Sequence, residues 1–378
     1  MGKELRGGYT TGACLAAGAK AAALFQRGNF VTEVDITALD GTSLKIPVAN
    51  IQKTTNGIQV EIIKDGGDDP DITHGTSIFV TLTQGWPVNL SERETKRSIQ
   101  LENIWLMAGV GIGYVTKAGL SVAPGEPSIN PGPRQLLLQE LQGVLGQEKC
   151  TVQIDIPAGE ALSKKTLNPI LGIEGGISVI GTTGVLRPMS EKAFKKSLVP
   201  QISVALAAGY KTQIFTPGKI GQRIAATWGM PEEAMVQTSN FIGYMLEAGA
   251  EYHLDRILLF GHIGKLAKVA AGVFYTHNRI GDGRLEVLAA YSGAAGMPAE
   301  GLQRILDSVT TEEALPVISE YGLEKVYDTI ATRASQRAER FLFNQVQVGT
   351  VLVTLQGKLL GMDETARRIG GDFGWNIK

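Results

Sequence analysis

The chain has 378 residues, 43% of them hydrophobic and 19% charged, enough to bury substantial apolar surface and more than one core usually organises. Its 36 basic and 37 acidic residues leave a formal net charge of −1, which gives no electrostatic footprint for nucleic acid; no apolar run approaches the roughly 18 to 20 residues needed to cross a bilayer. The two cysteines, Cys14 and Cys150, stand far apart without CxxC or Cys/His spacing, which excludes a disulfide scaffold and a structural zinc site and fits a reducing cytoplasm.

The first residues are basic and then alanine-rich, in outline like a signal peptide, but Lys20 interrupts the apolar run and Gly, Thr and Ala dominate it. The reading is a turn at Thr10-Thr11-Gly12 and a helix of small side chains over 13–27, ended by Gly28-Asn29. Alternation predicts strands over 34–37 and 44–48 around a turn at Asp40-Gly41. Asn56-Gly57 has the chemistry of a two-residue hairpin turn and leads into a strand over 58–63. A β-rich run over 77–83, a helix over 135–145 started after Pro133 and an alternating strand over 151–156 complete a mixed-sheet α+β domain, residues 1–165.

From Gly172 the pattern becomes strand, glycine loop, helix, repeated. A short apolar strand over 177–180 is broken by Gly181 and Gly184, and Ser190 can cap a helix whose Phe194, Leu198, Ile202 and Leu206 recur at helical spacing. A strand over 212–215 leads into Pro217-Gly218-Lys219-Ile220-Gly221 and a helix; a strand over 256–260 leads into Gly261-His262-Ile263-Gly264 and another helix. Helices across 298–344 and a strand over 348–355 end the chain. Three such units predict a Rossmann-like parallel α/β domain, residues 166–378, with the join within 158–169. Ligands of this architecture sit beyond the carboxyl ends of the strands, where the glycine loops lie.

Glycine lets backbone N–H groups approach a ligand, and a following helix start favours negative charge. None of the three loops reads GxGxxG or GxxxxGK[ST], so Walker-type phosphate chemistry is disfavoured. Any one loop is equally an ordinary tight turn; three together point to a ligand crevice. The segment from Lys64 to Gly75 gathers Asp65, Asp68, Asp69, Asp71 and His74, which can hold a hard cation or a general base, or simply form Asx turns. It lacks EF-hand spacing, since Pro70 stands at position six and no Glu closes it. Lys117, Arg134, Lys164, Lys165, Arg187, Lys265 and Lys268 stand where a polycarboxylate can be met by Arg forks and mobile Lys charges, though any single one is more often a solvated side chain. The four histidines show no HxH or HExxH spacing and no GxSxG elbow accompanies them, so a histidine-held metal and a hydrolase triad lack support; His253 complements a helix C-terminus.

Taken together and in order, LRGGYTTGACLAAGAKAA, IKDGGDDPDITHG, GVGIGYVTKAGL, PSINPGPR, KKTLNPILGIEGGISVIGTTGVLRPMS, SNFIGYML and GHIGKLAKVAAGVFYTHNR resemble the CbiD family, the cobalt-precorrin-5B C1-methyltransferases. The matching strings run from Leu5 to Arg279, and the segment after Arg279 adds little. The resemblance implies methyl transfer from S-adenosylmethionine to a ring carbon of a cobalt tetrapyrrole, giving cobalt-precorrin-6A. Cobalt then arrives with the substrate, and no protein-bound metal is expected.

On that reading the donor is expected at Gly181, Thr182, Thr183 and Gly184, at Gly218 and Gly221, and at Gly261 and Gly264. The macrocycle's acidic arms are expected to meet Thr10, Thr11, Gly12, Lys117, Arg134, Lys164 and Lys265. Asp65, Asp68, Asp69 or His74 can take a proton or orient an arm. The usual acidic residue for ribose hydroxyls is missing, because the strand over 212–215 runs into Thr216-Pro217. A corrinoid carrier without catalysis and a different nucleotide-dependent enzyme are the alternatives left open. A homo-oligomer is compatible with the sequence, since an apolar helix face packs equally well within or between chains.

Overall fold

The computed structural model describes residues 5–188 and 191–376. The chain forms two compact units, Met1–Glu191 and Lys192–Lys378. The first contains β1 (Gly8–Tyr9), α1 (Thr11–Gln26), β2 (Glu33–Thr37), β3 (Ser43–Pro47), β4 (Asn50–Thr54), β5 (Gly57–Ile63), β6 (Ser77–Gln84), α2 (Glu92–Lys96), β7 (Ser98–Leu101), β8 (Ile104–Ala108), β9 (Tyr114–Val115), α3 (Pro131–Leu145), β10 (Cys150–Asp155), α4 (Gly159–Ser163), α5 (Asn168–Leu171), β11 (Ile173–Glu174) and β12 (Val185–Leu186).

Six strands make its main sheet in the order β4-β5-β6-β10-β8-β7, antiparallel except for the β10/β8 pair. Period-two burial aims Val60 and Ile62, Ile78 and Val80, and Val152 and Ile154 into one core. Helix α1 lies in that core, packed against β5, β6 and α3. Its small side chains permit the close approach: a Cβ on Gly18 would lie 2.7 Å from Val80 Cγ2, and one on Gly12 2.6 Å from Pro133 Cγ. Both cysteines are free and buried, and burial pushes the Cys14 thiol up to about 12 and Cys150 up to about 11, so neither is a nucleophile at neutral pH.

The second unit contains α6 (Glu191–Leu198), whose first residue closes the preceding unit, then α7 (Pro200–Ala207), β13 (Thr212–Thr216), α8 (Lys219–Thr227), β14 (Met235–Gln237), α9 (Ile242–Glu251), β15 (Arg256–His262), α10 (Ile263–Ala270), α11 (Arg284–Ala294), α12 (Ala299–Leu306), α13 (Thr311–Glu320), α14 (Val326–Phe341), β16 (Gln347–Val353), β17 (Leu359–Met362) and α15 (Glu364–Asp372). Its sheet runs β14-β13-β15-β16-β17, parallel through β16, with β17 antiparallel. Ile214, Leu258, Phe260, Val351 and Val353 carry a core closed by Trp228, whose ring meets Phe260 edge-on at 5.0 Å. The mixed α+β unit followed by a parallel α/β unit is the expected fold.

Three expectations need correction. The division falls after Glu191 and not within 158–169, because β11 pairs with β9, β12 pairs with β1, and Ile177 and Val179 form parallel bridges with Ile112 and Ile129. Residues 177–180 are therefore not a strand of the parallel sheet. The helix expected through Leu206 is two helices, α6 and α7, since Pro200 cannot continue the first and suits the first turn of the second. Ser190, the expected cap, lies outside the described residues.

Candidate functional site

From β13 the chain steps to β14 on one side of the sheet and then crosses to β15 on the other, so the winding reverses between β13 and β15. Connections leaving two neighbouring strands in opposite directions cannot fill the space between them, and such a reversal is where open α/β sheets hold ligands. The segments here are Thr216-Pro217-Gly218, leaving β13, and Gly261-His262, the last residues of β15, with Thr238-Ser239-Asn240 after β14. Thr216 and Gln237 are paired, so the β13 and β14 loops leave the same sheet end from adjacent strands.

The glycines at this end do different jobs. A Cβ on Gly221 would lie 3.0 Å from Phe260 O and one on Gly261 2.9 Å from Pro217 Cδ, so both serve close packing of helix, loop and strand. Gly264 lies in the first turn of α10, where its N–H donates to His262 Nδ1 at 3.2 Å. Gly218 is extended, at φ 171° and ψ 174°, and a Cβ there meets nothing within 4 Å. Among these four, Gly218 alone borders open space.

Polar groups unseen as a set in the sequence converge nearby. His262 accepts at Nδ1, so its proton sits on Nε2, 2.9 Å from Glu312 Oε1, which also accepts from the Leu355 N–H at 2.9 Å. Lys265 donates to Asn240 Oδ1 and is half-buried; burial and the neighbouring Lys268 lower its pKa. Lys268 is almost fully buried and donates to Asn278 Oδ1 at 2.7 Å and Thr276 O at 3.2 Å. Among the described residues, no carboxylate lies within ion-pair distance of Lys265, which leaves a partly desolvated positive charge at the sheet's carboxyl end. Asn240, Asn278 and Glu312 were illegible in the sequence because their partners lie 10 to 50 positions away. A cavity of about 260 Å³ lined by Tyr210, Arg256 and Asp372 opens at the other end of β13 and β15, and none of the candidate residues lines it.

In the first unit the candidates serve mostly to bind segments to one another. Thr10 N–H donates to Gly184 O at 2.9 Å, Gly12 N–H to Ile180 O at 3.0 Å, and Thr10 Oγ1 accepts from Ala13 N–H to cap α1. Thr11 Oγ1 both accepts from and donates to the Ile180 backbone. Gly181 has φ +137° and stands against Thr10. The Gly181-Thr182-Thr183-Gly184 loop thus closes the head of α1, and Thr10, Thr11 and Gly12 spend their polar groups on it.

The acidic loop folds around Arg6. Its guanidinium grips Asp65 bidentately, its N–H donates to Asp68 Oδ2 at 2.7 Å, and its carbonyl accepts from Asp68 N–H. Asp71 pairs with the buried Lys64 at 2.8 Å. His74 accepts the Gly66 N–H at 3.0 Å through Nδ1 and remains exposed. The hydrogen bond from Arg6 holds the Asp65 carboxyl down at about 2, too weak a base to take a proton at neutral pH. Its folded pKa lies below the usual ~3.9, so the pair contributes stability above about pH 4 that is lost as pH falls toward 2. Urea unfolding of Arg6→Ala should accordingly begin at a lower midpoint than wild type at pH 6, and the gap should close by pH 2.

The remaining cations differ. Arg134 donates to Ile129 O and Glu126 Oε2, each at 2.7 Å, and is occupied. Lys117 lies along Gly172 with its ammonium 3.4 Å from Ile170 O, and Lys164 is exposed at the end of α4. Among the described residues no three His, Cys, Asp or Glu side chains converge as metal ligands would, and no helix is long and apolar enough to cross a membrane.

The fold is that of a two-unit α/β protein whose parallel sheet reverses its winding between β13 and β15. Comparison with known proteins is specific. Residues 1–188 match the CbiD family model and residues 275–364 match that of the CbiD C-terminal domain, including the stretch after Arg279 that the sequence strings left nearly blank. The chain is 47% identical to the cobalt-precorrin-5B C(1)-methyltransferase of Moorella thermoacetica, covering 100% of both chains, and 43% identical to that of Desulfitobacterium hafniense, covering 97% of this chain and 92% of the other. A crystal structure of a cobalamin biosynthesis protein, CbiD, from Archaeoglobus fulgidus is 24% identical over 71% of this chain and 80% of that one, with a TM-score of 0.38. The chain belongs to the CbiD family.

Proposed function

We propose that this chain transfers the methyl group of S-adenosylmethionine to C1 of cobalt-precorrin-5B, giving cobalt-precorrin-6A in anaerobic cobalamin synthesis. The observation that carries the reading is end-to-end likeness at 47% identity to a relative bearing that name. Cobalt enters as part of the substrate. Two unpaired, buried cysteines suit a reducing compartment, the cytoplasm.

The chemistry asks for alignment more than for acid or base. A sulfonium methyl is already an activated electrophile and the macrocycle an electron-rich carbon nucleophile, and holding the two in line can contribute up to about 7 to 11 kcal/mol. In this reading the second unit holds the donor where its winding reverses, against Gly218, with Gly221, Gly261 and Gly264 shaping the loops and Lys265 facing a carboxylate. In this reading the first unit meets the macrocycle's acidic arms through the exposed Lys117 and Lys164, and His74 is the exposed imidazole of the acidic loop.

Purified protein incubated with donor and authentic cobalt-precorrin-5B should yield a product heavier by one methyl substitution in mass spectrometry. Unchanged mass, with both ligands bound, would return the chain to the class of corrinoid carriers.

A further inference from the structure

The loop after β14 leads into a cluster of rings. Phe241, at the head of α9, forms an isolated antiparallel bridge with Tyr275, and their rings lie 5.0 Å apart. Tyr244 follows on the next turn. Phe241 is buried and the two tyrosines are partly exposed. One cation faces all three rings: the Lys195 ammonium, from α6, lies 5.0 Å from the centroid of Phe241, 5.5 Å from Tyr275 and 6.0 Å from Tyr244. Each distance is within the reach at which a ring face attracts positive charge. The box is also tied to the candidate donor end of the sheet, since Thr276 N–H donates to Asn240 O at 2.9 Å and Asn240 accepts from Lys265.

We infer that Phe241, Tyr244 and Tyr275 form a seat for the sulfonium of the methyl donor, which takes the place of the Lys195 ammonium. The inference rests on the donor reading above and adds residues that reading does not contain. Its physical basis is a difference in hydration. An ammonium is a compact, strongly hydrated charge that loses much by entering a box of rings. A sulfonium spreads its charge over three attached carbons and has no N–H to leave unpaired, the kind of cation aromatic cages hold best. Lys195 sits on a flexible stem on an exposed helix and can turn to water when displaced. Three rings also exclude water beside the methyl without offering a competing nucleophile.

The test exploits the fact that S-adenosylmethionine is a cation at sulfur, whereas S-adenosylhomocysteine is neutral there. Affinities of both are measured by calorimetry on the full chain and on Tyr244→Leu, Tyr275→Leu, Tyr275→Phe and Lys195→Gln. Each Leu variant should weaken the methionine form by roughly 3- to 30-fold and leave the homocysteine form within about twofold. Tyr275→Phe keeps the ring and should keep the ratio of the two affinities. Lys195→Gln removes the competing cation and should raise that ratio severalfold without touching a ring. Equal losses for both ligands, or a ratio unmoved in every variant, would overturn the seat and leave the donor reading standing. Wild-type protein that binds neither ligand would overturn the donor reading and the seat with it.

Discussion

Gly218→Val should leave the protein nearly as stable as wild type and weaken its hold on S-adenosylhomocysteine roughly 30- to 150-fold, as an intruding side chain costing about 2 to 3 kcal/mol would. The backbone at Gly218 is extended, a conformation that any residue adopts, and a Cβ there meets no atom within 4 Å. The folded chain loses no contact by the change; only the lower preference for Val at this N-cap of α8 opposes it, and a stability loss of no more than about 1 kcal/mol is expected. The same open space, at the reversal of the sheet's winding, is where we propose that the donor binds. A ligand-free thermal melt and a calorimetric titration give the two halves of the result. Unchanged affinity would move the donor away from the β13 loop. Gly261→Val is a poorer probe, because its side chain would press on Pro217 and confuse a packing defect with a blocked site.

Gly181→Ala is expected to act in the opposite way, through the fold. At φ +137° Gly181 occupies a region that L side chains rarely adopt, and a Cβ would lie 2.6 Å from Thr10 Cβ and 2.9 Å from Thr10 Cγ2. Backbone strain of about 1 to 3 kcal/mol and a similar overpacking cost add at this position, so the head of α1 should be destabilised by about 3 to 5 kcal/mol. Hydrogen exchange of peptides covering α1 reads this directly: its amides should exchange roughly two to four orders of magnitude faster. Unaltered protection would mean that the loop from Gly181 to Gly184 can shift without cost, contrary to the hydrogen bonds it makes to Thr10 and Gly12.

These two glycines show what was legible in the sequence and what was not. A glycine in a loop announces a backbone freedom or a close approach, but the residue it approaches comes from another part of the chain. Gly181 and Gly218 look alike in sequence; one abuts Thr10, 171 positions earlier, and the other faces open space. The apolar run over 177–180 has the composition of a strand wherever it pairs, and it pairs with Ile112 and Ile129 in the first unit. β14 has only three residues after a single 3₁₀ turn, too short for periodicity to register, yet it sets the strand order that locates the reversal. The β7/β8 hairpin turns at Glu102-Asn103 with Glu102 at φ +48°, without the Asn-Gly signature that marked β4/β5.

Helix α1, the alternating strands and the β13 and β15 loops were legible because their signals are local: small-residue composition, period two, glycine after an apolar run. The acidic loop was visible as a cluster, but its use was not, because Arg6 precedes it by 59 residues. The aromatic box was invisible for the same reason, drawing on positions 195, 241, 244 and 275. Composition and spacing pointed to a crevice, whereas the ordered family strings pointed to a reaction.

The central claim is transfer of one methyl group from S-adenosylmethionine to one carbon, and the most direct measurement follows that carbon. The full chain is given donor labelled in its methyl group together with authentic cobalt-precorrin-5B, and the product is examined by nuclear magnetic resonance. The account predicts a single labelled methyl on C1. Label on a different ring carbon, or none with both ligands bound, would contradict it.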